Sequence, residues 1–427
     1  MDAVAQPTRG SSAAGHGSQG WVNARRIRAH AVLLGACLWS LYLWNLSTPG
    51  LFDRSGNLKG TDFLHFYTIG SFAAAHRGAD LYDMNAASAW VAGHVPQAAG
   101  RRYLPLYPPQ VSLFFAPFAG LRYGQALAAW WSLTAFLYGL CCYGIWRACP
   151  NLKSYRATIV LAAIAFPAFF HLIAWGQTSA LALVCFTAAF LMLKKGRDVW
   201  AGCALGCLVF KPQLAVAAAV VFVAIGAWKV VGAAVVAASA QLIVGVLYFG
   251  RAPLLRWLSV LGNVRFELRW LEPRPYQTHS LRTFWALLIP WGNVAELLWV
   301  ASAVLVLGFT VDLWKRKESA PLALRYSGLL LATVLAAPHL TVYDLVILVP
   351  AFLLTADWIA VHPAASPVRT VSTLWYLIFL LPLLSPVVRW VHVQFSVIAM
   401  SACVFVTWRL VRPGRLKPVF ARRSSFS

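Results

Sequence analysis

Asp62 stands in the run Lys59-Gly60-Thr61-Asp62-Phe63-Leu64-His65-Phe66-Tyr67. Phe63, Phe66, Tyr67, Ile69 and Phe72 follow at helical spacing, so Asp62 heads a helix with His65 on its face at i+3. A carboxylate there has two readings. It caps the first turn, as Thr61 also could, or it is a general base that takes a proton from an acceptor hydroxyl.

Three further groups carry chemistry. Asp80-Leu81-Tyr82-Asp83, Arg101-Arg102-Tyr103 and Tyr107-Pro108-Pro109 mix aromatics with charges. That mixture suits sugar stacking and phosphate contact, or an amphipathic loop lying on lipid headgroups. Phe210-Lys211-Pro212-Gln213 places one lysine between two short apolar blocks. Its ammonium either binds a phosphate as a point charge or snorkels to the interface. Gly176-Gln177-Thr178-Ser179 falls on the same side and could add hydrogen bonds. Pro338-His339-Leu340-Thr341-Val342-Tyr343-Asp344 puts an ionisable pair at a membrane boundary, a functional candidate by default. The plain alternative is an interfacial His and a helix-start Asp. The segment 250–293 adds Arg251, Arg256, Arg265, Arg269, Arg274 and Arg282, which suit an anionic headgroup. All four groups fall on one side, at the outer rim. They describe a cleft for a phosphate and a polar acceptor.

The elements that position these residues follow from composition. Of 427 residues, 60% are hydrophobic and only 11% charged, against about 25% charged in a soluble domain. Mean hydropathy is +0.67. The apolar residues come in long blocks without alternation, which excludes a barrel and predicts an all-α polytopic membrane protein. Blocks lie at 31–46, 124–146, 157–174, 178–193, 199–210, 213–228, 230–249, 294–314, 322–338, 343–361, 370–388 and 391–411, about twelve transmembrane helices. The 199–210 and 213–228 blocks read as a hairpin broken at Lys211-Pro212. Residues 103–121 are apolar but short and proline-crowded, so they read as an interfacial or re-entrant helix.

Residues 1–24 read as a disordered cytoplasmic tail and 413–427 as a basic cytoplasmic tail, around an integral membrane domain at 25–412. The long loops 48–121 and 250–293 are external. The net charge of +23 flanks the apolar blocks, which points to membrane topology and anionic lipid and away from nucleic acid. With the N-terminus inside, most of the 36 Lys and Arg land on the cytoplasmic side, including Lys194-Lys195-Gly196-Arg197 and Lys315-Arg316-Lys317. Asp198, Glu296, Asp312, Glu318 and Asp357 sit at or near helix ends and carry no predicted chemistry. Cys203 and Cys207 share a face at i, i+4 but lack further ligands, so no metal site is expected.

Gly60-Thr61-Asp62-Phe63, Gly78-Ala79-Asp80-Leu81-Tyr82-Asp83, Tyr107-Pro108-Pro109, Gly176-Gln177, Lys211-Pro212-Gln213 and Pro338-His339 occur in that order. From about residue 30 to about 360 the chain resembles glycosyltransferase family 87, the polyprenol-phosphate-mannose-dependent mannosyltransferases with a C-type membrane fold. It departs where Thr178-Ser179 follows Gly-Gln and where Ala337 precedes Pro338-His339. The resemblance implies a hexosyltransferase, in particular an α-mannosyltransferase, in a bacterial-type plasma membrane, acting on the extracytoplasmic side. Its donor would be a polyprenyl-phosphate sugar and its acceptor a lipid or glycan, with no cofactor and no metal. Asp62 would be the base of an inverting transfer. Lys211, Arg101, Arg102 and Arg269 would hold the donor phosphate. His65, Asp80, Tyr82, Tyr107, Gln177 and His339 would contact sugar or acceptor. The competing readings are a flippase or transporter of a lipid-linked sugar and a non-catalytic envelope partner. A transporter would place ionisable residues at mid-membrane and show paired repeats.

Overall fold

The computed structural model describes residues 23–263, 272, 274–362 and 366–412. Nearly all of both expected tails, together with Arg265 and Arg269, lie outside the described residues. The protein is an all-α polytopic membrane protein; among the described residues there is no strand, only the isolated bridges Phe52–Leu58 and Thr278–Thr341.

Every apolar block becomes helix. Six helical segments are long and apolar enough to cross a membrane: Ala24–Leu46, Tyr123–Ala148, Trp228–Phe249, Gly292–Lys315, Val342–Ala360 and Pro367–Val391. A seventh is the pair Pro150–Ala165 and Pro167–Trp175, bent by 45°. Pro167 explains the bend, because its ring and missing N–H interrupt the helical ladder. Ser179–Lys194, Asp198–Phe210, Pro212–Ala224, Leu322–Ala336 and Phe395–Leu410 are shorter apolar helices. Of the expected helices, six or seven are full-length spans by length and apolarity, and the others are shorter. Gln110–Gly120 has too few residues to cross.

The helices run between two ends. At one end Lys194 Nζ donates to Ala148 O at 2.6 Å, the Asn151 N–H to Asp357 Oδ1 at 2.8 Å and Trp408 Nε1 to Asp312 Oδ2 at 2.6 Å. Arg25, Arg147, Arg197, Lys229, Lys315 and Arg409 end or begin helices there. Asp62, Gln177, Lys211 and His339 sit toward the other end.

The Leu322–Ala336 helix forms the centre, with eleven of its fifteen residues buried. Ala24–Leu46 and Trp228–Phe249 have 6% and 11% of their apolar windows buried, so lipid covers most of their surface. The hairpin around Lys211 is anchored through two glycines. A Cβ on Gly202 would lie 2.2 Å from Val230 O, and one on Gly206 2.3 Å from Ala234 O. This small-xxx-small seam lets Asp198–Gly206 lie backbone to backbone, in parallel, with Trp228–Phe249. The rising arm Asp198–Phe210 spans only about 20 Å. The hydrocarbon is about 30 Å thick. Lys211 sits at the apex of this short hairpin.

The segment 48–121 packs as an ordered cap. Nine of the twelve residues of Phe63–Ala74 are buried. Phe63 stacks on Trp130 at 6.2 Å, and Phe66 on Phe115 at 4.9 Å. The segment 274–288 is tied down by the His279 N–H to Leu340 O bond at 2.9 Å and by Gln394 Nε2 on Thr278 O at 2.7 Å.

Candidate functional site

The helix of residues 167–175 ends where Gly176 adopts φ +70°, a left-handed cap that glycine takes without a Cβ penalty. A Cβ on Gly176 would also lie 2.7 Å from Phe63 Cβ. This close approach joins two distant stretches. The Asp62 N–H donates to Trp175 O at 3.0 Å, and Gln177 Nε2 donates to Asp62 Oδ2 at 2.7 Å. Asp62 occupies the position before Phe63, but its side chain makes no capping bond. The capping reading fails, because the carboxylate turns to Gln177.

Asp62 lines a cavity of about 700 Å³ together with His65, Arg102, Tyr103, Tyr107, Gln177, Lys211, Glu272, Arg274, His339 and Asp344. Burial pushes its carboxyl up to about 6, while the Gln177 bond and the charges of Lys211, Arg101 and Arg274 pull the other way. Burial pushes His65 down to about 4, leaving the ring neutral. His65 Nε2 is buried with no hydrogen-bond partner. Gln177 Oε1 is held by the Thr178 N–H at 3.3 Å and by Tyr107 OH at 3.5 Å.

Lys211 and Asp344 form the cavity floor. Lys211 Nζ donates to Asp344 Oδ1 at 2.8 Å and to Ser179 Oγ at 3.0 Å; Ser179 Oγ donates to the same Oδ1 at 2.5 Å. Asp344 Oδ2 accepts from Thr341 N and Oγ1, both at 3.2 Å. Both side chains are about 5% exposed. The expected free phosphate-binding lysine is thus a paired lysine, since an unpaired ammonium at this depth would be costly. Of the ionisable pair at the later boundary, Asp344 takes Lys211 and His339 takes a different carboxylate. His339 Nδ1 lies 2.9 Å from Glu272 Oε1, and Arg282 Nη1 donates to Glu272 at 3.0 and 3.2 Å.

Other expected residues lie elsewhere. Asp80 pairs with Arg77 at 2.6 Å, three residues away, and does not line the cavity. Tyr82 OH donates to Tyr107 O at 2.8 Å and props that residue from behind. Arg101 Nη1 donates to Thr61 Oγ1 at 3.3 Å and stands off the cavity, although its charge reaches Asp62; Arg102 lines the cavity. Among the described residues no group of His, Cys, Asp and Glu could hold a metal. Glu272 escaped the sequence reading because it lies in an arginine-rich loop; Arg282 ten residues on was its one local signal.

The site thus draws on five distant stretches of chain. Searches of curated proteins and of solved structures give no match. The model of glycosyltransferase family 87 matches residues 106–338, more than half of the chain. That stretch includes Tyr107, Gln177, Lys211 and Glu272, ends one residue before His339, and begins well after Asp62, which joins it through Gln177. With that match the chain belongs to glycosyltransferase family 87 and is a multi-pass membrane glycosyltransferase acting on lipid-linked or glycan substrates.

Proposed function

We propose that this glycosyltransferase moves a hexose, mannose in the first instance, from a polyprenyl-phosphate donor to a hydroxyl of a lipid or glycan acceptor. Asp62 takes the acceptor proton as the oxygen attacks the anomeric carbon. The bond from that carbon to the phosphate oxygen breaks, its electron pair leaves with the polyprenyl phosphate, and the configuration inverts. Arg102 and Arg274, with the one ammonium proton of Lys211 left after its two bonds, oppose the charge on the leaving phosphate. Arg101 acts from behind Thr61, and Arg269 lies in the same arginine-rich stretch of sequence as Arg274. His65, Tyr107, Gln177 and His339 contact sugar or acceptor. Neither cofactor nor metal takes part in this scheme.

The observation that carries the reading is Asp62 itself. It is a non-capping carboxylate in a large cavity, with one side-chain partner and an affinity for protons suited to a base near neutral pH. The cavity lies toward the end opposite the basic clusters, so the positive-inside rule supports an extracytoplasmic opening and a plasma-membrane setting. The C-type membrane fold belongs to the same proposal. A carrier of lipid-linked sugar would also explain the buried Lys211–Asp344 pair inside a membrane domain, and liposome flipping tests it.

The deciding assay supplies radiolabelled polyprenyl-phosphate-mannose and host lipid extract to purified wild type and Asp62→Asn. A labelled product from the wild type alone, with the variant folded, is the expected result. Equal transfer by both would remove Asp62 from the chemistry. No transfer by either, with flipping in liposomes, would favour the carrier.

A further inference from the structure

Glu272 and Arg282 stand behind His339 on the cavity wall, and the proposed transfer gives neither of these two a role. Glu272 comes from the long loop before the Gly292–Lys315 span, Arg282 from the helix that follows it, and His339 from the end of the central helix. All three side chains are well covered, with 7%, 14% and 13% exposed. Glu272 Oε2 meets Arg282 Nη1 at 3.0 Å, and Glu272 Oε1 meets His339 Nδ1 at 2.9 Å.

Arg282 already opposes the carboxylate charge, so an imidazole that donates from Nδ1 satisfies Glu272. A carboxylate oxygen accepts, so Nδ1 carries the proton. In the neutral ring Nε2 then holds a bare lone pair. His339 lines the cavity, and its Nε2 has no partner among the described residues. A lone pair facing a cavity accepts from a hydroxyl and repels a phosphate oxygen.

We infer that Glu272, backed by Arg282, is a positioning residue that fixes the His339 tautomer, so that Nε2 accepts a hydrogen bond from one hydroxyl of a sugar substrate. This rests on the glycosyl-transfer reading and adds to it a selective contact for a polyol on the cavity wall.

The test combines two readouts on the full-length purified protein. Kinetics compare wild type, Glu272→Ala, His339→Ala, the double variant and Glu272→Gln, using polyprenyl-phosphate-mannose and its single-deoxy analogues. Each alanine variant should lose about tenfold in kcat/KM, the magnitude of one hydrogen bond. The double variant should be no worse than His339→Ala, and Glu272→Gln, which keeps an acceptor oxygen, should recover part of the loss. Wild type should reject one deoxy analogue, and both alanine variants should lose that discrimination. Additive losses of about a hundredfold, or unchanged discrimination, would overturn the inference. The second readout is nitrogen-15 NMR of histidine-labelled protein without substrate, with the His339 signal assigned by its loss in His339→Ala. It should show a proton on Nδ1 and none on Nε2, and the reverse would also overturn it. If wild type transfers no sugar, the transfer reading fails while the tautomer still decides this one.

Discussion

Two ionisable centres share one cavity and are built in opposite ways. On the floor, the Lys211–Asp344 pair is saturated. Asp344 takes bonds from Lys211, Ser179, Thr341 N and Thr341 Oγ1, and Lys211 spends two of its three N–H groups inside the protein. On the wall, Asp62 has a single side-chain partner and His65 has a buried nitrogen with none. Buried polar groups normally find partners, so a fully bonded cluster is architecture and an under-bonded one is the place for a ligand. The floor ties together the hairpin apex, the start of the Ser179–Lys194 helix and the start of the Val342–Ala360 segment. The wall is left open for a substrate.

That contrast breaks most sharply at Asp62. Asp62→Asn should lose transfer by about a thousandfold, the usual worth of a general base, while the protein folds normally. Its stability should move the other way. The folded-state carboxyl sits near 6 against the ordinary carboxylate value of 3.8, so the charged form costs up to about 3 kcal/mol above pH 6 and nothing below about pH 4. The variant should therefore melt higher than wild type at pH 8, with the two curves converging as pH falls to 4. A lower melting temperature at pH 8 would place Asp62 among the structural carboxylates.

On the floor the expected loss is in stability. Lys211→Met should cost about 3–5 kcal/mol by leaving Asp344 buried and unpaired, and pairing it with Asp344→Leu should restore much of the melting temperature. A single variant that folds at full stability but has lost donor binding would return Lys211 to the role of a free phosphate ligand.

Gln177 joins the two regimes, and its effect is smaller. Its bond holds the Asp62 carboxyl down, so Gln177→Leu should raise that value and move the acid limb of the rate–pH profile upward from about 6. A rise of about one unit, the size of one hydrogen bond to a charged group, roughly halves the ionised fraction at pH 7, so activity there should fall about twofold, with little change at high pH. The smallest effect belongs to Ser179→Ala, about 1 kcal/mol of stability with transfer preserved, measured by thermal melting.

Much of the architecture was legible because lipid imposes a single rule on the backbone. Each apolar block became a helix, the proline-crowded 103–121 stretch holds no spanning helix, and the Lys211-Pro212 break is the apex of a hairpin. The span count was less legible, because hydropathy reports that a block is apolar and says little of whether its helix reaches the far face. At the site, spacing located the segments and missed the partners. Asp62 and Gln177 are 115 positions apart, as are few contacts that periodicity can reveal, and they meet because Gly176 has no Cβ to hold Phe63 away. Lys211 and His339, singled out in the sequence, both line the cavity, but spacing did not reveal their carboxylate partners Asp344 and Glu272. Asp80 drew notice as a charge among aromatics, but a neighbouring Arg77 absorbs it.

The short hairpin has an electrical consequence. Its arm gives roughly 20 Å of packed helix against the roughly 30 Å of a full hydrocarbon span, so a transmembrane voltage that falls across this arm alone gives a steeper field than elsewhere in the bilayer.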